Sequence, residues 1–203
     1  MNITAIKQQV KRHDRYSVFV DGKYAFSLGE SALLESKLTS GMEISAGQLR
    51  ELKKLSEDDK IYNQTLRYIA LRPRSEWEIR FYLEKKKKAS PALAESILNK
   101  LSIIGMIDDE KLAKAFVSDR RLLRPASRRK LQNELRKKHI SEELIEKAIG
   151  REAEDEQAAL RAVIEKARRQ IKYQDNQKLM QYLARQGFNY SDIKAALSDD
   201  NDS

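Results

Sequence analysis

The chain has 203 residues, 40 of them basic and 31 acidic, for a net charge of +9. With 7 glycines and 3 prolines against abundant Ala, Leu, Glu, Lys and Arg, it is a helix-forming composition, long enough for one large or two modest cores. It has no cysteine, which excludes disulfides and thiolate metal sites; no apolar run approaches the ~20 residues of a bilayer span, and the first fourteen residues lack the apolar core of a signal peptide, so a cytoplasmic protein with no membrane partner is expected.

The first 45 residues hold the densest β-formers. Asp21-Gly22 separates two alternating runs, Tyr16–Val20 and Lys23–Leu28, and favours a two-residue hairpin because both central positions need positive φ. Phe19 then faces Tyr24 across the turn, an aromatic cross-strand pair. Ile3 to Val10 supplies a third strand, Ser31 to Lys37 a short helix, and Ser40-Gly41 a turn.

From Ser45 the pattern is helical. Leu49, Leu52 and Leu55, then Ile61, Leu66 and Ile69, recur at helical spacing. A break is expected near Ser56-Glu57-Asp58, where the serine can cap a following helix, and Arg72-Pro73 closes the run, since proline pushes its predecessor out of the α region. Ser75 and Glu78 then form a capping-box pair.

A repeat begins there. Ile79 and Leu83 lie four apart and are followed by Ile97 and Leu101. Leu131 and Leu135 are followed by Ile145 and Ile149, and Leu179 and Leu183 by Ile193 and Leu197. The gap from second to third anchor is ten residues in the last two units and fourteen in the first, so four residues have been inserted there, in the stretch holding the lysine run and Pro91. An apolar helix precedes each unit: Leu66 to Leu71, Leu112 to Val117 and Leu160 to Ile164. Lys138-His139-Ile140-Ser141 and Gly187-Phe188-Asn189 occupy equivalent turns, with Gly187 suited to a left-handed helix end and Ser141 to the next cap. Helices this short cannot bury their stripes alone, so neighbouring units share core. The expected fold is mainly α: three tandem three-helix repeats behind a small β-rich module. The domains are a β-rich module at 1–45, a linker helix and first repeat at 46–107, a second repeat at 108–152 and a third at 153–203.

Catalytic chemistry has little to stand on. His13 and His139 have no reason to meet, and His139 fills the place of Gly187, a backbone role. Asp108, Asp109 and Glu110 open a helix, where acidic residues are favoured by the dipole and by capping rather than by a metal. There is no Gly-rich phosphate loop and no Ser, His and Asp grouping. A protein without catalytic residues, cofactor or metal is expected.

Charge is more informative. Residues 111–150 carry twelve basic and five acidic groups, whereas the other segments nearly balance. A polyanion, most commonly nucleic acid, fits such a concentration. The first basic constellation is Arg72, Arg74, Arg80, Lys85, Lys86, Lys87 and Lys88, interleaved with Trp77, Phe81 and Tyr82. Such aromatics can stack on bases, but helical spacing beside Ile79 and Leu83 favours core packing for Trp77 and Phe81. The second is Arg120, Arg121, Arg124, Arg128, Arg129 and Lys130. Arg128, Arg129 and Lys130 fall in the first turn of the Leu131 helix, where cations oppose the dipole. An anionic partner meeting the helix end explains that placement.

At RPRSEWEIRFYL, IGMIDDEKLAKAFVSDR and RRKLQNELRKKHI the chain resembles the bacterial regulatory protein RecX family. The resemblance runs over about Leu66 to Ile149 and more loosely through LMQYLARQGF; the β-rich module resembles N-terminal extensions of some members. It implies tandem three-helix repeats without an active site, which bind the RecA recombinase, its filament on single-stranded DNA, and DNA itself, suppressing ATP hydrolysis, strand exchange and coprotease activity, with roles in recombination, DNA repair and the SOS response. The twelve site residues it and the charge pattern point to are Arg72, Arg74, Lys85–Lys88, Arg120, Arg121, Arg124 and Arg128–Lys130, in a monomer. The chain departs from the family where His139 replaces a glycine, where the first unit is longer, and where the third unit is acidic overall. Two other readings of the residues are a helix-turn-helix regulator of duplex DNA, which usually dimerises over spaced half-sites, and an α-helical interaction scaffold.

Overall fold

The structure, a computed structural model, describes residues 1–150 and 153–199. The chain divides into two compact units: Met1–Pro73 with Ile79–Met106, and Arg74–Glu78 with the residues from Ile107 onward. The boundary drawn at 152, and the end of the third repeat beyond 199, lie outside the described residues.

The first unit opens with strands β1 (Ile3–Gln9), β2 (Arg12–Val20) and β3 (Lys23–Gly29), which form an antiparallel sheet in that order. Asp21 and Gly22 take φ of 46° and 77°, the mirror-image turn that matches strand twist. Phe19 pairs with Tyr24, their rings edge to face at 6.1 Å. Alternation buries Val18, Val20, Phe26 and Leu28 on one face, where they meet Ile3 and Ile44. Helix α1 (Glu30–Ser36) ends on Lys37 in the left-handed conformation.

Helix α2 (Ala46–Ala70) corrects one expectation: it runs 25 residues without a break at Ser56-Glu57-Asp58. Ser56 and the neighbouring Asp59 serve the sheet rather than a cap. The Ser56 hydroxyl donates to the Ser27 carbonyl at 2.6 Å, and the Asp59 carboxylate accepts from the Gly29 amide at 2.8 Å and pairs with Arg15 at 3.3 Å. Leu49 and Leu52 pack on the sheet core, so the long helix completes that core before it leads the first repeat. A capping box of Ser45 and Gln48 starts it.

Helix α3 (Glu76–Phe81) is capped by Ser75 and Glu78 as expected, the serine hydroxyl accepting from the Glu78 amide and the glutamate from the Ser75 amide. It then widens into a π turn over Tyr82–Lys86, in which the Lys87 amide donates to the Tyr82 carbonyl. A π turn holds one residue more than an α turn. Lys88 then takes φ 55° and buried Ala89 closes the joint, as His139 (φ 56°) with Ile140 and Gly187 (φ 95°) with Phe188 do in the other repeats. The four-residue insertion is thereby divided: one residue enters the π turn, and three lengthen the following helix α4 (Pro91–Ile103) by about one turn.

The first repeat buries Ile69, Ile79, Leu83, Ala94, Ile97, Leu98 and Leu101. Trp77 and Phe81, expected in a core, are instead 41% and 43% exposed. Tyr82 stacks on Tyr68 with centroids 3.9 Å apart and planes within 4°, with the Lys87 ammonium 5.2 Å from its ring centre.

In the second unit, α5 (Asp109–Leu123), α6 (Arg128–Arg136) and α7 (Glu142–Ile149) form the second repeat around Ala113, Val117, Leu131, Leu135, Ile140, Ile145 and Ile149. Helices α8 (Ala153–Arg168), α9 (Asn176–Arg185) and α10 (Tyr190–Asp199) form the third around Leu160, Val163, Ile164, Leu179, Leu183, Phe188, Ile193 and Leu197. The fold is therefore three three-helix repeats behind a three-stranded sheet. Among the described residues no helix is long and apolar enough to cross a membrane, and no group of three or more His, Asp or Glu side chains could hold a metal ion.

Candidate nucleic-acid interface

One kind of joint occurs twice in the second unit, which holds Arg74, Arg120, Arg121, Arg124, Arg128, Arg129 and Lys130. Ser75 and Ser127 are both fully buried N-caps. The first amide of α3, from Glu76, donates to the Asp109 carboxylate at 2.9 Å, and the first amide of α6, from Arg128, donates to the Glu156 carboxylate at 2.7 Å. Each acid lies near the start of the leading helix of the next repeat, and burial pushes both carboxyls above the ordinary range. One residue further on, the Trp77 ring lies on the His139 ring at 3.7 Å. At the equivalent place the aliphatic stem of Arg129 lies where a side chain on Gly187 would begin, its Cβ 3.4 Å away. In both joints the first turn of a middle helix rests on the left-handed turn of the following repeat.

This changes the account of the α6 terminus. The anion that balances its first turn is internal: Glu156 takes the Arg128 amide, and the Ser127 hydroxyl accepts from the Lys130 amide. The Arg128 guanidinium donates to the Gly150 carbonyl and the Glu146 carboxylate. Helix α6 thus tolerates three cations in its first turn because its own neighbours neutralise that end.

The remaining predicted residues separate by environment. Arg120 pairs with Glu134 at 2.9 Å, and Arg121 donates to the Ile149 carbonyl at 2.6 Å. The Lys130 ammonium donates to the Gln186 side chain at 2.5 Å. Arg124 and Arg129 are exposed, and their side chains have no hydrogen-bond or ion-pair partner among the described residues. In the first unit Arg80 pairs with Glu95 at 2.8 Å, Arg72 is exposed and donates to the Pro73 carbonyl, and Lys85, Lys86 and Lys88 point into solvent around half-buried Lys87. Arg74, half-buried, belongs to the second unit. The two constellations are therefore not one continuous cluster along the chain but outward residues alternating with structural ones. Asp109, Glu156 and Gln186, which organise this surface, lay beyond sequence reasoning because no local pattern marks a carboxylate that caps another repeat's helix.

Gly187 makes the joint testable. Its φ of 95° is disfavoured for any side chain, and a Cβ would lie 2.7 Å from the Ser127 hydroxyl, itself donating to the Gln186 carbonyl at 2.6 Å. We expect Gly187→Ala to cost on the order of 2–3 kcal/mol from backbone strain and the displaced hydroxyl. His139→Gly should change stability by less than about 1 kcal/mol, because relief of its left-handed strain offsets the lost ring stack. Urea midpoints for both variants check this, and a neutral Gly187→Ala would refute the close approach.

Three three-helix repeats behind a three-stranded sheet, with exposed cations in the first and second repeats, define a helical-repeat protein. The comparisons make the class specific. The chain matches the model of the regulatory protein RecX N-terminal domain over residues 1–45 and those of the first, second and third RecX three-helix domains over 62–101, 108–149 and 154–197. It is 33% identical to the regulatory protein RecX of Halalkalibacterium halodurans, covering 97% of this chain and 77% of that one, and 30% identical to that of Bacillus subtilis, covering 96% and 75%. A crystal structure of regulatory protein RecX superposes with a TM-score of 0.76 at 29% identity, over 95% of this chain and 97% of the other. One of RecX from Lactobacillus salivarius shares the fold, with a TM-score of 0.60 at 22% identity over 70% of this chain and 96% of that one. The chain belongs to the RecX family of regulatory proteins.

Proposed function

We propose that this chain regulates a RecA recombinase by binding its filament on single-stranded DNA, and that it does so by attachment alone, lowering ATP hydrolysis without chemistry of its own. The observation that carries the reading is family membership along nearly the whole chain. It is supported by the outward cations Lys85, Lys86, Lys88, Arg124 and Arg129, on a fold whose polar groups at the repeat joints serve capping and pairing. A filament offers both a phosphate backbone and protein surface to such an array.

The expected result is inhibition of RecA-dependent ATP hydrolysis at less than one molecule per RecA protomer. Full ATPase activity at several-fold molar excess would overturn the reading. Direct binding to single-stranded DNA should weaken with salt at a log–log slope of about −3 to −4, for ~4–6 neutralised phosphates. Alanine at Lys85, Lys86, Lys88, Arg124 and Arg129 together should flatten that slope while circular dichroism stays unchanged.

A further inference from the structure

Within the second unit a cleft of about 380 Å³ opens where the second and third repeats meet. Ala126, Val163 and the half-buried Tyr182 are among its lining residues. Four cations from three helices and a loop surround it: Arg120, Arg124, Lys130 and Lys166, against the single carboxylate of Glu134. Helical spacing alone does not bring Lys166 to the other three, since it comes from α8 in the next repeat.

The cations are only partly used. Arg120 gives Nε to Glu134 and lies 5.0 Å from the Phe116 ring centre, while its two terminal nitrogens have no hydrogen-bond partner among the described residues. Lys130 spends one of three ammonium protons on Gln186. The exposed side chains of Arg124 and Lys166 have neither hydrogen bond nor ion pair among the described residues. Like charges gathered around one concavity raise its affinity for an anion, and guanidinium and ammonium donors together suit a tetrahedral oxyanion. The volume lies within the range of small-ligand sites. Tyr182, backed by Tyr173 at 4.7 Å, offers a ring beside the charge, the pairing by which strand binders hold a base next to its phosphate.

We propose that this inter-repeat cleft is a phosphate-binding site, that an internucleotide phosphate of a single strand is seated by Arg120, Arg124, Lys130 and Lys166, and that Glu134 competes for Arg120 and weakens the site. The choice of a strand as the source of the phosphate rests on the function proposed above; a free polyphosphate shares the chemistry. The site needs two repeats, so neither alone forms it.

The test is fluorescence anisotropy of a labelled fifteen-nucleotide oligo-dT with the full chain, from 50 to 200 mM salt, alongside titration calorimetry with pyrophosphate. Arg124→Ala and Lys166→Ala, both at exposed positions, should each weaken oligo-dT binding roughly three- to tenfold and reduce the salt slope by about 0.7. Glu134→Gln should tighten binding, which a merely structural ion pair would not do. If cleft variants bind as wild type while Lys85, Lys86 and Lys88 to Ala loses affinity, the cleft is wrong and the function reading stands. If the wild type ignores oligo-dT yet binds pyrophosphate through Lys166, the cleft stands as a phosphate site and the strand does not. Binding to neither removes both.

Discussion

Asp59→Asn is expected to lose about 3–5 kcal/mol of stability in the first unit, the largest effect of any single charge removal described above. Arg15 and Asp59 are nearly inaccessible, their side chains 5% and 7% exposed, in a 3.3 Å pair. The Arg15 guanidinium also donates to the Ser27 carbonyl and hydroxyl, and the Asp59 carboxylate holds the Gly29 amide and the Asn63 side chain. Removing the negative charge leaves a guanidinium buried with only neutral acceptors, and its desolvation is no longer offset. The double variant Arg15→Met, Asp59→Leu should recover much of the loss, because a well-packed apolar pair replaces a buried ion pair at little cost. Urea unfolding with a probe in the sheet measures both. A drop below about 1 kcal/mol for the single variant would show that water reaches the pair.

The second large effect concerns the repeat cores. Leu135 is fully buried among Val117, Leu131, Ile140 and Ile145. Truncation to Ala removes transfer free energy and leaves a cavity that three short helices cannot fill, for about 2–5 kcal/mol. Leu122, 79% exposed only thirteen residues earlier, should tolerate Ala within ~0.5 kcal/mol. Equal effects at the two positions would mean that the four-residue spacing does not define the buried stripe. Leu183, also fully buried at the equivalent place, should behave like Leu135.

The contrast shows what the sequence disclosed. Core positions were legible because a short helix beside two others presents one face, and periodicity alone identifies it; all twelve anchors from Ile79 to Leu197 are buried. The hairpin and the caps at Ser75 and Ser141 were legible because Asp-Gly, Ser and the turn residues impose local backbone geometry. Misreadings arose where a distant partner overrides local chemistry. Ser56-Glu57-Asp58 looked like a helix break, yet the partner of Ser56 lies 29 residues away in the sheet and that of neighbouring Asp59 lies 30 away. Trp77 looked like core because its helix is amphipathic, but its partner is the His139 ring. The internal acids at the start of α6 escaped notice because Glu146 and Glu156 are invisible to spacing. The widened turn after Tyr82 was legible only as an excess of residues, since nothing in the lysine run says which helix absorbs them.

The paired rings of Trp77 and His139, against Arg129 over bare Gly187, bear on protein engineering. Each interlocking contact is a key on one module and a keyhole on the next, and the two keys here are cut differently. A concatemer made by duplicating the 108–149 segment would set an arginine stem on an imidazole where an indole now lies. Such chimeras should assemble well only when position 77 or 129 travels together with the turn residue that receives it.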